Sequence, residues 1–301
     1  MDACASVAAM VSEDGGAPVL IRHYTDPGCP FAFSAERQRL RLLWLYGEQI
    51  DWELHMVVLQ ETRPGDDVFP PEKNAAGRRE LQLRYGMPMD WRPVPVAASL
   101  PACRAVVATR MRAPDAEEAI LRRLRVLNFS GFDLDDPAVI YRAAGESLIE
   151  PSEMRVWLER PDVEEALRED MAAARSPSPA SHAQDYKLGG PPEERRYTCP
   201  SYELIRVTDP PANWPTASRV DLPGYRPIEA YETAIANLAP ELTRRTDPGS
   251  VDEVLAWAGM PIATAEVAAV CDREIADVRT ELARVAQFLP VGGDGYWTAT
   301  A

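Results

Sequence analysis

Two short segments have the residue types for chemistry: TDPGCPFAFS (25–34) and Thr198-Cys199-Pro200. In the first, Cys29 sits in a Pro- and Gly-rich loop ahead of a helical pattern. Free amides and the dipole at a helix start favour a thiolate over a thiol. A thiolate attacks disulfides and other electrophiles. Cys29 is therefore read either as a nucleophile or as an inert buried residue. In the second segment, the bond before Pro200 can adopt the cis form at modest cost. Phe31 and Phe33 flank Cys29 and either line an apolar slot or pack under the helix. His23, on the strand entering the loop, is either a neighbouring cation that tunes Cys29 or a core histidine.

The remaining cysteines read differently. Cys103 in LPACRAVVATRM and Cys271 in AEVAAVCD belong to apolar helical stretches and read as core, while Cys4 lies on the tail. Five cysteines with no Cys-x-x-Cys pair do not form a disulfide framework. No two of His23, His55 and His182 fall within a turn of each other, so no metal site is expected.

These side chains need elements to hold them. PVLIRHYTD (18–26) is an apolar run ending in a polar turn and reads as a buried strand. AERQRLRLLWLYG (35–47) places Leu40, Leu43 and Trp44 at helical spacing and stops at Gly47. IDWELHMVVL (50–59) is strand-like, which completes a βαβ unit. From Glu72 to Arg175 the pattern is almost wholly helical, with acidic first turns at 115–118 and 162–165. Residues 175–196 form a Pro- and Gly-rich flap. Its Lys187, Arg195 and Arg196 either meet an acidic group on a ligand or are simply solvated. YTCPSYELIRV (197–207) and RVDLPG (219–224) read as strands, and 225–242 as an amphipathic helix with Ile228, Tyr231, Ile235 and Leu238 inward. After TDPGS (246–250), three short helices and a hairpin around GGDG predict a small winged-helix-like module.

Composition bounds the rest. The chain has 301 residues, enough for two or three structural units, with 46% apolar and 26% charged residues. A net charge of −15 disfavours nucleic acid and anionic membranes as partners. The last predicted helix, EIADVRTELARVA, carries more acid than base, so the module is expected to dock onto the rest or to dimerise. No apolar run reaches the ~18 residues of a membrane span. MDACASVAAMVSEDGG has no basic region of the secretory type, which points to the cytoplasm.

Taken together, TDPGCPFAFSAE, then WELHMVVL, then a helical insertion, then YTCPSYEL resembles the DsbA-like thioredoxin family. The branch is that of the FrnE-like and 2-hydroxychromene-2-carboxylate-isomerase-like proteins. LRRLRVLNFSGFDLDDPAVI resembles its insertion and PGYRPIEAYETAI its final helix, so the resemblance spans about residues 18–242. It implies that Cys29 is the attacking thiol at a helix start and that Pro200 is cis and packed against it. Thr198 and Cys199 would offer a backbone edge to a peptide or thiol tripeptide, with Pro30, Phe31 and Phe33 nearby. Two departures follow. Redox members carry a second cysteine where Ala32 stands, and isomerase members carry serine where Cys29 stands. Cys199 is expected to face Cys29 and to restore a dithiol from a distant position.

The expected fold is α/β: a thioredoxin-like domain (18–65 and 182–245) split by a helical insertion (66–181). A flexible tail (1–17) precedes it and a winged-helix-like module (246–301) follows. The expected function is cytosolic thiol–disulfide oxidoreduction by Cys29, resolved by Cys199 or a small thiol. The alternatives are a thiol-dependent isomerase or transferase acting on a small apolar electrophile, and a non-catalytic binding protein. No tightly bound cofactor is expected. Glutathione or mycothiol is the expected co-substrate, the latter because Ala, Arg and Pro are abundant, as in GC-rich genomes. A homodimer is an open expectation.

Overall fold

The computed structural model describes residues 17–207 and 218–300; Cys4 and the tail through residue 16 lie outside the described residues. Strand β1 (Val19–Thr25) is buried along its length apart from Arg22, as a central strand covered on both faces must be. It pairs in parallel with β2 (Ile50–Met56) and antiparallel with β3 (Ser201–Arg206). Strand β3 pairs antiparallel with β4 (Arg219–Leu222), giving the order β2-β1-β3-β4.

A parallel pair requires a crossover. Here it is α1 (Pro30–Ser34) and α2 (Glu36–Tyr46), joined at Ala35. The helix thus starts at Pro30, five residues before the start read from the sequence. Proline suits a first helical position because its missing N–H would have no partner there and its φ is already helical. The Ser34 hydroxyl donates back to the Pro30 carbonyl at 2.8 Å, a bond that bends helices, and the joint follows immediately.

Between β2 and β3 lie α3 (Pro71–Tyr85), α4 (Leu100–Arg112), α5 (Glu117–Phe129), α6 (Pro137–Glu146), α7 (Pro151–Leu158), α8 (Pro161–Ala174) and the short α9 (Pro179–His182). Five of them begin on a proline, which accounts for much of the proline in this region. Val106, Leu121, Leu124, Val139, Met154 and Leu167 form its apolar centre, and Leu54 and Met56 of β2 join it. Asp170 of α8 pins the block to the sheet by accepting the Met56 amide at 2.9 Å while pairing with Arg110 at 3.1 Å.

After β4 come α10 (Ile228–Leu238), α11 (Val251–Ala258), β5 (Ile262–Ala263), α12 (Thr264–Cys271), α13 (Ile275–Val285), β6 (Ala286–Val291) and β7 (Asp294–Ala299). The last three strands form an antiparallel sheet of order β5-β7-β6. This C-terminal part shares one core with the main sheet: Val254, Val267, Leu282 and Trp297 pack with Val19, Leu42, Trp44 and Tyr231. Polar contacts follow the same seam. Arg41 of α2 donates to the Val270 carbonyl at 2.5 Å, and Arg122 of α5 pairs with the fully buried Glu266 at 2.7 Å. The hairpin turn needs glycine at 292, where φ is +59° and a Cβ would fall 1.7 Å from the Met89 carbonyl oxygen.

Candidate functional site

The β1–β3 register places Tyr24 opposite Ser201, so the loop leaving β1 meets the turn entering β3. That register brings Cys29 against Cys199, 170 positions further along the chain. Cys29 caps α1 in extended backbone (φ −79°, ψ 116°), and its amide donates to the Asp26 carbonyl at 3.2 Å. Its S–H donates to the Cys199 carbonyl oxygen at 3.3 Å. The Cys199–Pro200 peptide bond is cis. Both cysteines are free thiols and buried, at 5% and 6% exposed.

The two thiols are driven apart in acidity. Cys29 is held below the ordinary thiol value, chiefly because the Cys199 thiol hydrogen-bonds to it; burial opposes this, the Ala32 and Phe31 amides assist, and Asp26 opposes. Cys199 is pushed well above the ordinary value, first by burial, then by the neighbouring Cys29 sulfur and Asp26, with Arg196 acting in the other direction. One proton on Cys199 and one negative charge on Cys29 is therefore the favoured ionised arrangement.

Asp26 gives the loop its shape. Fully buried, it accepts the Gly28 amide at 2.6 Å, the Leu59 amide at 2.7 Å and the Ser99 hydroxyl at 2.7 Å. It also receives the Cys103 thiol at 3.7 Å. It thereby joins the Cys29 loop, the exit of β2 and the start of α4. Sequence reasoning missed this role, although Asp26 lies three residues before Cys29; nothing local marks Ser99 as its partner. A wall of Tyr24, Tyr197 and Leu188 backs the two sulfurs, with the tyrosine rings stacked at 4.2 Å.

Two expected site residues are placed elsewhere. Phe33 is 1% exposed and stacks on Phe129 at 4.5 Å, because its position on α1 faces the insertion; it is core and lines no slot. Phe31, 42% exposed, is the aromatic beside Cys29 that meets solvent. His23 is not a tuning cation. Burial and then the Arg125 and Arg39 charges hold it well below its ordinary pKa, and its ring stacks on Tyr202 at 4.5 Å. Pro30 and Pro200 flank the sulfurs as expected neighbours in the chain. The Thr198 hydroxyl donates to the Lys187 carbonyl at 2.7 Å, while its own carbonyl accepts from Ser201 at 2.5 Å. The flap is tied down by an antiparallel bridge between Gly189 and Arg196. Arg195 is spent on an ion pair with Asp185. Among the described residues, no three His, Cys, Asp or Glu side chains converge as metal ligands. No helix among them is long and apolar enough to cross a membrane.

A central strand flanked by a parallel and an antiparallel neighbour, a cysteine at a helix start and a cis-proline turn against it define a thioredoxin-type fold. No family model matches the chain, and no curated protein does. Solved structures do. A provisionally named protein disulfide isomerase from Nitrosomonas europaea superposes with a TM-score of 0.54 at 16% identity, covering 73% of this chain and 96% of its own. A provisionally named DsbA oxidoreductase from Streptomyces coelicolor superposes with a TM-score of 0.53 at 15% identity, covering 76% and 93%. The chain has the DsbA-like thioredoxin fold, with a helical insertion between its second and third strands.

Proposed function

We propose that this protein is a thiol–disulfide oxidoreductase in which Cys29 attacks and Cys199 resolves. The Cys29 thiolate adds to one sulfur of a substrate disulfide, and the other sulfur leaves as a thiolate and takes a proton. Cys199, once deprotonated, attacks the Cys29 sulfur of the mixed disulfide. The Cys29–Cys199 bond forms and the second substrate thiol departs. The substrate gains two electrons and two protons, and the protein becomes the internal disulfide. Two molecules of a low-molecular-weight thiol of the glutathione or mycothiol class return it to the dithiol in the cytoplasm and leave as their own disulfide.

The observation that carries this reading is the contact of two free thiols whose acidities are driven in opposite directions. The names borne by the two fold neighbours agree with disulfide chemistry. The winged-helix-like C-terminal part serves to brace α2 and α5, or to join two copies, and not to hold nucleic acid.

Mild oxidation followed by alkylation and peptide mass spectrometry tests the pairing. The expected product lacks two hydrogens and yields a cross-linked peptide containing Cys29 and Cys199. Alkylation of both residues after oxidation would overturn the proposed couple.

A further inference from the structure

The step that most needs help is resolution, because Cys199 must shed a proton in a buried place beside a carboxylate. Arg196 lies three residues before it. The guanidinium donates to the Tyr197 carbonyl at 3.0 Å, directly behind the Thr198-Cys199-Pro200 turn. The backbone of Arg196 is fixed by two bonds to Gly189, at 2.9 and 3.0 Å. Gly189 leaves the space the guanidinium needs: a Cβ there would stand 3.1 Å from Nη1 and 3.3 Å from Cζ. Arg195 next door is neutralised by Asp185, yet no carboxylate pairs with Arg196 among the described residues. In a chain of net charge −15, Arg196 is thus a half-buried, backbone-pinned cation with no carboxylate partner among the described residues, at the turn that carries Cys199.

We propose that Arg196 is a positioning residue for the resolving step, set beside the cis-proline turn to stabilise Cys199 as a thiolate while Cys29 is held in a mixed disulfide. This rests on the Cys29–Cys199 reading above. When Cys29 bonds to the substrate it loses its negative charge, so the strongest neighbouring opposition to a Cys199 thiolate disappears. Asp26 and Arg196 then face Cys199 as the charged groups, with Tyr24 and Tyr197 as protonated phenols behind. Burial first, and then Glu203, push Tyr197 up to about 12 and Tyr24 higher still, so neither supplies charge near neutral pH. The Cys199 thiolate attacks the Cys29 sulfur, the new S–S bond forms as the Cys29–substrate bond breaks, and the proton Cys199 released ends on the departing thiol.

The test uses the full chain with Cys29→Ser, which imitates the uncharged Cys29. The rate of Cys199 alkylation is followed against pH, with Arg196→Met and Arg196→Lys added in turn. Arg196→Met is expected to move the profile about one pH unit upward, a rate about tenfold lower near neutrality. Arg196→Lys is expected to restore most of it. Gly189→Ala, which crowds the guanidinium, is expected to shift the profile in the same direction and serves if Arg196→Met fails to fold. Superimposable profiles overturn the proposal. Failure of the parent reading is seen separately, as wild-type protein that forms no Cys29–Cys199 disulfide.

Discussion

The Cys29 loop and the foot of α4 each hold a buried thiol within the field of the Asp26 carboxylate, and the outcomes are opposite. Cys29, at the open end of α1, has the Cys199 S–H and two backbone amides directed at it and is held below the ordinary thiol value. Cys103 lies inside α4 and directs its S–H to Asp26 Oδ2 at 3.7 Å. Burial, then the Asp26 charge, raise it well above that value. The same residue type at similar burial is made more or less acidic according to which dipoles and charges act on the sulfur. Burial alone does not distinguish them.

The largest expected effect separates these two thiols. Cys29→Ala should lower reduction of a small model disulfide by about a thousandfold or more, while Cys103→Ala should leave it unchanged. Equal losses in steady-state assays would break the comparison. Asp26→Asn sharpens it. Removing the charge should move the alkylation profile of Cys29 to lower pH, and the weakened bonds to Gly28, Leu59 and Ser99 should cost about 2–3 kcal/mol in denaturant unfolding. A profile that moved to higher pH would show that Asp26 aids the thiolate.

The smallest effect serves as a control far from the sulfurs. Burial pushes Glu117 up to about 8, partly offset by Arg110. An unfolded glutamate titrates near ~4.3, so between those values the folded state holds a proton that the unfolded state has lost. Stability attributable to Glu117 therefore falls as pH rises through that window. Glu117→Gln should raise Tm by a few degrees at pH 8 and by almost nothing near pH 4, with thiol reactivity unchanged. A gain equal at both pH values would refute the assignment.

Much of this was legible along the chain. The strand, the Pro-Gly loop and the following helix placed Cys29 at a helix start because each is written in local periodicity and turn chemistry. Pro30 was legible as a loop residue and less so as a first helical residue, since proline serves both. Phe31 and Phe33 differ by two positions on one short helix, so sequence could not say which faces the insertion. His23 on a buried strand reads either as a cation or as a core residue, and only its complete burial, the nearby Arg125 and Arg39 and the stacked Tyr202 show that it stays neutral.

The local sequence by itself determined the elements and the helix-start thiol, because hydrophobic period, proline and glycine act within a few residues. Only the tertiary structure decided that Cys199 faces Cys29, that Asp26 ties the loop to β2 and α4, and that Arg196 has no carboxylate partner among the described residues beside the turn. Those facts depend on strand register and on side chains tens to more than a hundred residues apart, where hydrogen bonds and charge act through space.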